Sequence, residues 1–272
     1  MLSVDRSPYT APFDAVADHY DELFTESKIG QAQRASVWTE LKKTFAPGDR
    51  VLEIGCGTGV DACLLGSCGV RVVACDSSPR MLAVATRRVR KTGNSEFVQP
   101  HLLGAEEIIQ LREERGFDGA FSNFGALNCV EDLRRLASDL GQVLHPGAPV
   151  LFCLMGPCSL WEVIWYLAHA NPRKAFRRFH REGVDARLAD GAVARVFYPS
   201  VRSVTRTFAP EFRLKSVKGI GISVPPSYLE RLALRFPRAF AVQTRIDPLL
   251  GECPGIRSLA DHILLKFERT CA

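Results

Sequence analysis

Three glycines in five residues, Gly55, Gly57 and Gly59, follow a short apolar run in the stretch VLEIGCGTGVD. Glycines at that spacing let the backbone lie against a ligand. Two carboxylates flank the loop: Glu53 stands two residues before the first glycine, and Asp76 closes the next apolar run, VRVVACD. A phosphate loop needs Lys-Ser or Lys-Thr after its last glycine, but Gly59 is followed by Val60 and Asp61. A dinucleotide fingerprint spaces its glycines G-x-G-x-x-G, and here the third glycine comes one residue early. Glu53 would repel a pyrophosphate and suits a cationic or ammonium-bearing ligand. The loop therefore reads as a cradle for a cation.

Such a cradle needs elements to hold it. Residues 13–24 and 29–45 carry apolar side chains at helical spacing, Phe13, Val16, Ala17, Tyr20 and Phe24 among them. RVLEIG reads as a buried strand, the glycine turn leads into a helix, and VRVVACD is a second strand. SSPRMLAVATRRVRK opens with a serine cap and an early proline, a helix start. SEFVQP, FDGAFSNFG and VLFCLMG are further strands, with helices expected at GAEEIIQLREERG and VEDLRRLASDLGQVL. Strands alternating with helices at these intervals predict parallel βαβ units with helices on both faces. Beyond residue 155 the rhythm changes. SLWEVIWYLAHA and PRKAFRRFHREG read as two helices without a strand between them, AVARVFY as a strand and SVRSVTRTFAP as a helix. FRLKSVKGIGIS and ADHILLKFER read as a final strand pair around the helix PSYLERLALRF.

The joined pattern of strand, E-x-G-x-G-x-G, helix, strand and acid resembles the class I S-adenosylmethionine-dependent methyltransferases. Within them it is similar to the small-molecule enzymes related to the ubiquinone and menaquinone methyltransferases, which share a leading segment like FDAVADHYDELF. The resemblance implies an α/β, Rossmann-like seven-stranded, mostly parallel sheet with helices on both faces and an inserted helical lid. It implies S-adenosyl-L-methionine as cofactor, with S-adenosyl-L-homocysteine as product, and no metal. By that resemblance Gly55, Gly57 and Gly59 lie against the methionine part, Glu53 holds its ammonium and Arg34 its carboxylate. Tyr20 closes over the cofactor, Asp76 accepts the ribose hydroxyls with Ser77 beside it, and Met81 packs on adenine. Asn123, Phe124 and Gly125 lie under the sulfonium. Family members often carry Asp-Ala after the third strand, and this chain has Gly104-Ala105 there. The Ala105 N–H remains for the adenine ring, with a backbone carbonyl, Gln99, His101 or Glu106 for its amine.

The implied reaction is methyl transfer to a small organic acceptor through oxygen, nitrogen or carbon. An oxygen or carbon acceptor calls for a base, usually histidine. Of six histidines, His145 in a turn and His262 in the last strand read as structural, leaving His19 and His169 as candidates. Trp161, Trp165 and Tyr166 fall where a lid would enclose an apolar or aromatic acceptor. Twelve basic and four acidic residues lie between Arg173 and Lys218, a local balance of +8 against +5 for the whole chain. This local basicity reads mainly as a solvated face along Arg173, Lys174, Arg177, Arg178 and Arg181, or else as a site for an anionic acceptor, an acidic membrane surface or nucleic-acid phosphates. It is not a whole-protein nucleic-acid signature. The alternatives are an RNA or protein methyltransferase using that insertion, or a non-catalytic cofactor-binding interaction protein. Nine cysteines without a CxxC pair read as free thiols. With no apolar run near the roughly 20 residues of a membrane span and no basic leader, a cytoplasmic site is the default expectation. The expected divisions are covering helices at 1–45, a cofactor core at 46–155, a lid at 156–210 and the final strand pair at 211–272.

Overall fold

The computed structural model describes residues 11–114, 116–180, 182–188 and 191–271. Five strands, β1 (Arg50–Ile54), β2 (Arg71–Asp76), β3 (Val98–Leu102), β4 (Gly119–Ser122) and β5 (Pro149–Met155), form the parallel part of one sheet. Two more, β8 (Phe212–Ile220) and β9 (His262–Arg269), complete the order β3-β2-β1-β4-β5-β9-β8, in which β9 alone runs against the others. This is the seven-stranded Rossmann-like sheet that the sequence predicts.

Both faces of the sheet are covered. Leu52, Ile54, Ala120, Phe152, Leu154 and Phe267 point to one side, where α4 (Leu133–Val143) and α7 (Val201–Phe208) supply Leu136, Leu140, Val204 and Phe208. The alternate residues Val51, Phe121, Leu151, Cys153 and Leu264 meet α1 (Lys28–Thr44), α2 (Val60–Ser67) and α3 (Pro79–Lys91) on the other. Strands buried on both faces have no polar alternation to display, which is why they read as continuous apolar runs. Each fully buried aliphatic or aromatic side chain contributes roughly 1.5–3 kcal/mol, against about 1 kcal/mol for a cap such as Ser78 on α3. The two-layer core therefore dominates, and α7 belongs to it.

Several local expectations change. Residues 13–24 do not make one helix. They form a 3₁₀ turn at Pro12–Val16 and a π-helical turn at Asp21–Thr25, because Asp14 and Asp21 turn inward to bond other elements. Residues 105–114 are 3₁₀ helix. The strand expected at 192–198 forms as β7 (Val193–Val196) and pairs with an unforeseen β6 (Val184–Arg187) in a separate ribbon. The region expected to form a lid has α5 (Leu160–Ala168), then only the short α6 (Pro172–Ala175) and a turn at Arg177–Phe179 where one basic helix was expected; Arg181 lies outside the described residues. Before β9 come α8 (Glu230–Arg235) and the longer α9 (Pro237–Glu252). Among the described residues no helix is long and apolar enough to cross a membrane.

Candidate functional site

The glycine loop leaves β1 at the carboxyl edge of the sheet, where open α/β sheets bind ligands. Gly55 and Gly59 are left-handed and tightly packed: an added Cβ would stand 2.3 Å from Ala126 Cβ and 2.9 Å from Ala85 Cβ. Gly57 differs. Its φ is +52° and a Cβ there would meet nothing within 4 Å, so it faces open space. Its N–H donates to Asp76 Oδ2 at 2.8 Å, and the Ser78 N–H donates to Oδ1 at 2.8 Å. Burial raises the Asp76 carboxyl above its ordinary value, while these two donors pull it back.

Glu53 is 2 % exposed, and its Oε2 has no hydrogen-bond partner. Burial pushes its carboxyl well above the ordinary 4.5, and the nearby Asp61 adds to the shift, against Arg34. Arg34, on α1, is itself buried. Its Nη1 donates to Asp61 Oδ1 at 2.7 Å, yet its Nε has no partner. Asp61 also accepts from Trp38 Nε1 at 2.7 Å and from Asn123 Nδ2 at 2.9 Å. Asn123 Oδ1 is the third buried atom here without a partner. Three carboxylates, Glu53, Asp61 and Asp76, thus share this end of the sheet with one buried arginine. Buried polar groups are almost always paired, so orphaned atoms of both signs side by side mark a ligand that brings both. An amino-acid group would fit such a pair, with an ammonium toward Glu53 Oε2 and a carboxylate toward Arg34 Nε.

The covering segment closes on this site from the N-terminal side. Thr58 Oγ1 donates to Asp21 Oδ1 at 2.8 Å, Arg88 pairs with Asp21 Oδ2, and Arg88 Nε donates to the Thr58 carbonyl at 2.8 Å. Ser78 donates to Asp14 Oδ1 at 2.5 Å and caps α3 through the Met81 N–H. Met81 is buried with Val16 and Ala17, and Tyr20 packs beside them with its hydroxyl raised by burial. Ser77, in contrast, is exposed. Ala105 packs on the core, and Gly104 donates its N–H to Glu107, not Glu106. A hollow of about 440 Å³ opens beside Thr25, Gln31, Arg34, Trp38 and Arg88.

After β4, Phe124 (φ +51°) and Gly125 (φ +87°) turn the chain. The Arg34 guanidinium sits 4.8 Å over the Phe124 ring, with the Phe24 ring edge-on at 5.0 Å and the His262 ring at 5.6 Å. The two histidines expected to act as bases are not brought here. His19 faces solvent beside Glu22, with 73 % of its side chain exposed. His169 ends α5, exposed, with Nδ1 2.8 Å from the Trp165 carbonyl of its own helix. Of the three aromatic residues expected in a lid, Trp161 Nε1 donates to the Ser223 carbonyl at 3.1 Å, Trp165 lies tilted against the His169 ring at 4.2 Å, and Tyr166 stacks on Tyr228 at 6.2 Å. The basic stretch is not simply a solvated face either. Arg178 is buried, bonding Glu162 Oε2 at 2.8 Å and Asp261 Oδ1 at 2.7 Å, and Arg177 pairs with Glu162 Oε1 at 2.5 Å.

Asp61, Trp38 and Asp21 escape a reading by motif, although an acid two residues after the last glycine was a visible signal. Asp247 does so too: it fixes the loop after β8 by accepting the N–H groups of Gly221, Ser223 and Val224 at 2.7–3.0 Å.

The fold is that of the class I methyltransferases. Residues 51–147 match the family described as a methyltransferase domain. Demethylmenaquinone methyltransferase of Clavibacter sepedonicus is 32 % identical over 152 residues, covering 56 % of this chain and 60 % of that protein. The enzyme of the same name from Mycolicibacterium paratuberculosis (strain ATCC BAA-968 / K-10) is 30 % identical over 179 residues, covering 63 % and 73 %. A putative S-adenosylmethionine-dependent methyltransferase from Listeria monocytogenes shares the fold, with a TM-score of 0.63, 18 % identity, and coverage of 89 % of this chain and all of that one. The chain belongs to the S-adenosylmethionine-dependent methyltransferases.

Glu53 supplies a signed pH test. In the cofactor-free chain its folded pKa lies above its unfolded one. Its contribution to stability is therefore complete below the ordinary carboxylate range and is lost as pH rises through the window up to the raised value. A bound ammonium favours the carboxylate, so cofactor binding should release a proton in that window and tighten as pH rises. Calorimetry of S-adenosylhomocysteine in two buffers of different ionisation enthalpy measures this. Glu53→Gln should abolish the proton release, and equal release in that variant would remove Glu53 from the role.

Proposed function

We propose that the protein transfers a methyl group from S-adenosylmethionine to a small hydroxylated aromatic acceptor of the hydroquinone type. The cofactor reading is carried by the orphaned pair Glu53 Oε2 and Arg34 Nε, which suits an amino-acid zwitterion. In this reading Gly55, Gly57 and Gly59 give the methionine end backbone access, and Asp76 takes the ribose hydroxyls with the lone pairs that Gly57 and Ser78 leave unused. Met81, Ala105 and Tyr20 border the adenine side, and Asn123 holds Asp61 in register while its Oδ1 is left without a partner. When bound, the cofactor supplies an activated methyl group, so the chain has chiefly to hold the acceptor in line and exclude water.

The acceptor class rests on the two relatives named for demethylmenaquinone and on the aromatic lid of Trp161, Trp165 and Tyr166. Arg177 and Arg178 are committed to Glu162 and Asp261, which disfavours phosphate tracking along an RNA. The test is incubation with S-adenosylmethionine and a panel of prenylated naphthohydroquinones, with products read by mass spectrometry. A methylated ring is the expected product. Binding of S-adenosylhomocysteine without product from any member of the panel would leave a cofactor-binding protein with a different acceptor or none.

A further inference from the structure

We propose that His262 is the proton acceptor for the substrate hydroxyl, held in place by Asp261 and, through it, by the lid. The inference rests on the methyl-transfer reading and assigns a function to a strand histidine.

Position comes first. His262 opens β9 and pairs in register with Met155, the last residue of β5, and with Ile220, the last of β8. It therefore stands at the same carboxyl edge as Glu53 and Asn123. Its ring meets Phe124 edge to face at 5.6 Å, and the same phenylalanine carries the Arg34 guanidinium at 4.8 Å. One aromatic ring thus separates the imidazole from the acid and arginine cluster that fits the methionine end. Helix α5 connects to the imidazole through Glu162, Arg178 and Asp261. An acceptor caught between lid and cofactor would sit at this point.

Orientation comes next. His262 is 7 % exposed, with Nδ1 3.3 Å from Asp261 Oδ2, close but without aligned hydrogen-bond geometry. Among the described residues no hydrogen bond engages Nε2. Asp261 is buried and anchored on several sides: Arg178 reaches Oδ1 and the main-chain carbonyl at 2.7 and 3.0 Å, and Gln33 lies 3.5 Å from Oδ2. Burial opposes the Asp261 charge, but His262 and Arg178 outweigh it and hold the carboxyl well below its ordinary value. Arg178 is fixed in turn by Glu162 on α5. The charged groups around the imidazole are therefore Asp261, Arg178 and Glu162, with Arg34 across the ring. A carboxylate behind Nδ1 keeps the proton there and leaves Nε2 as the basic atom.

The chemistry balances as one proton out. The ring hydroxyl gives its proton to Nε2, and the electron pair so released reaches the methyl through the adjacent ring carbon. The methyl–sulfur bond breaks with its pair left on sulfur, and the hydrogen displaced from that carbon returns to the hydroxyl oxygen. The proton on Nε2 passes to water as product leaves.

The test uses the full chain, S-adenosylmethionine and 1,4-dihydroxynaphthalene bearing a short isoprenoid side chain, kept reduced. His262→Gln should lower kcat by about 100-fold, flatten the acidic limb of the pH profile and leave S-adenosylhomocysteine affinity within about twofold. Asp261→Asn should move that limb without removing it. Nitrogen NMR of the histidine rings gives a readout independent of turnover: His262 should carry its proton on Nδ1 in the wild type and lose that preference in Asp261→Asn. A His262→Gln enzyme with near-wild-type kcat and an intact acidic limb, or an Nε2-protonated ring in the wild type, would overturn the proposal. Absence of wild-type turnover with the probe would instead count against the hydroquinone reading, and the tautomer would still decide the role of the imidazole.

Discussion

Gly57→Arg is expected to weaken S-adenosylhomocysteine binding by more than about 100-fold, roughly 2.7 kcal/mol, while the protein stays folded. Two observations at this residue set the sign. A Cβ at Gly57 meets nothing within 4 Å, so a larger side chain is not expelled by the protein; it fills the space the loop leaves open. The φ of +52° disfavours any residue with a Cβ, by roughly 1–2 kcal/mol. Stability should fall by no more than that, because the Gly57 N–H to Asp76 is a main-chain bond that the substitution retains. Thermal unfolding checks the first half and calorimetry the second. Unchanged affinity would mean that the cofactor does not lie against Gly57.

Asp61→Ala carries the largest expected effect on stability, a loss of about 3–5 kcal/mol, the usual consequence of breaking a buried pair from one side. Asp61 is 4 % exposed and, among the described residues, is the only carboxylate that hydrogen-bonds Arg34, Trp38 and Asn123. Without it a buried guanidinium is left facing Glu53 alone, and the Trp38 and Asn123 donors lose their acceptor. The double variant Arg34→Met, Asp61→Leu should recover most of the loss, because a pair replaced by apolar groups leaves no uncompensated charge. Denaturant unfolding of the three proteins measures this. A single variant within about 1 kcal/mol of wild type would show that water reaches and solvates Arg34.

Legibility in the sequence followed the range of the interactions. β1, the glycine loop, α2 and β2 with Asp76 are contiguous, and each carries its own signal in apolar runs, left-handed turns and caps. The lid ion pairs are not: Glu162 meets Arg178 sixteen residues on, and Arg178 meets Asp261 a further 83 residues on. No spacing rule joins them, so Arg178 reads as one more solvated arginine. The covering segment misleads for a related reason. Its apolar spacing is helical, but Asp14 and Asp21 reach residues 64 and 37 positions away, and those bonds break the helix into two turns. Helix α9 is hidden by Pro248 inside it. His262 sits in a plain strand pattern, and only its register with Met155 places it at the site.

Phe124 carries a further implication. A phenylalanine with φ near +51° is held against its own backbone preference. Main-chain bonds from Gly125 to the Cys153 carbonyl and from Asn128 to the Gly125 carbonyl close the turn, and the ring is seated among its neighbours. Those neighbours come from different parts of the protein: Arg34 from α1, Phe24 from the covering segment and His262 from the final strand. The turn after β4 is therefore a keystone, shaped by the pieces that press on it. The residues read as the cofactor side and the acceptor side of the site thus meet on a single side chain.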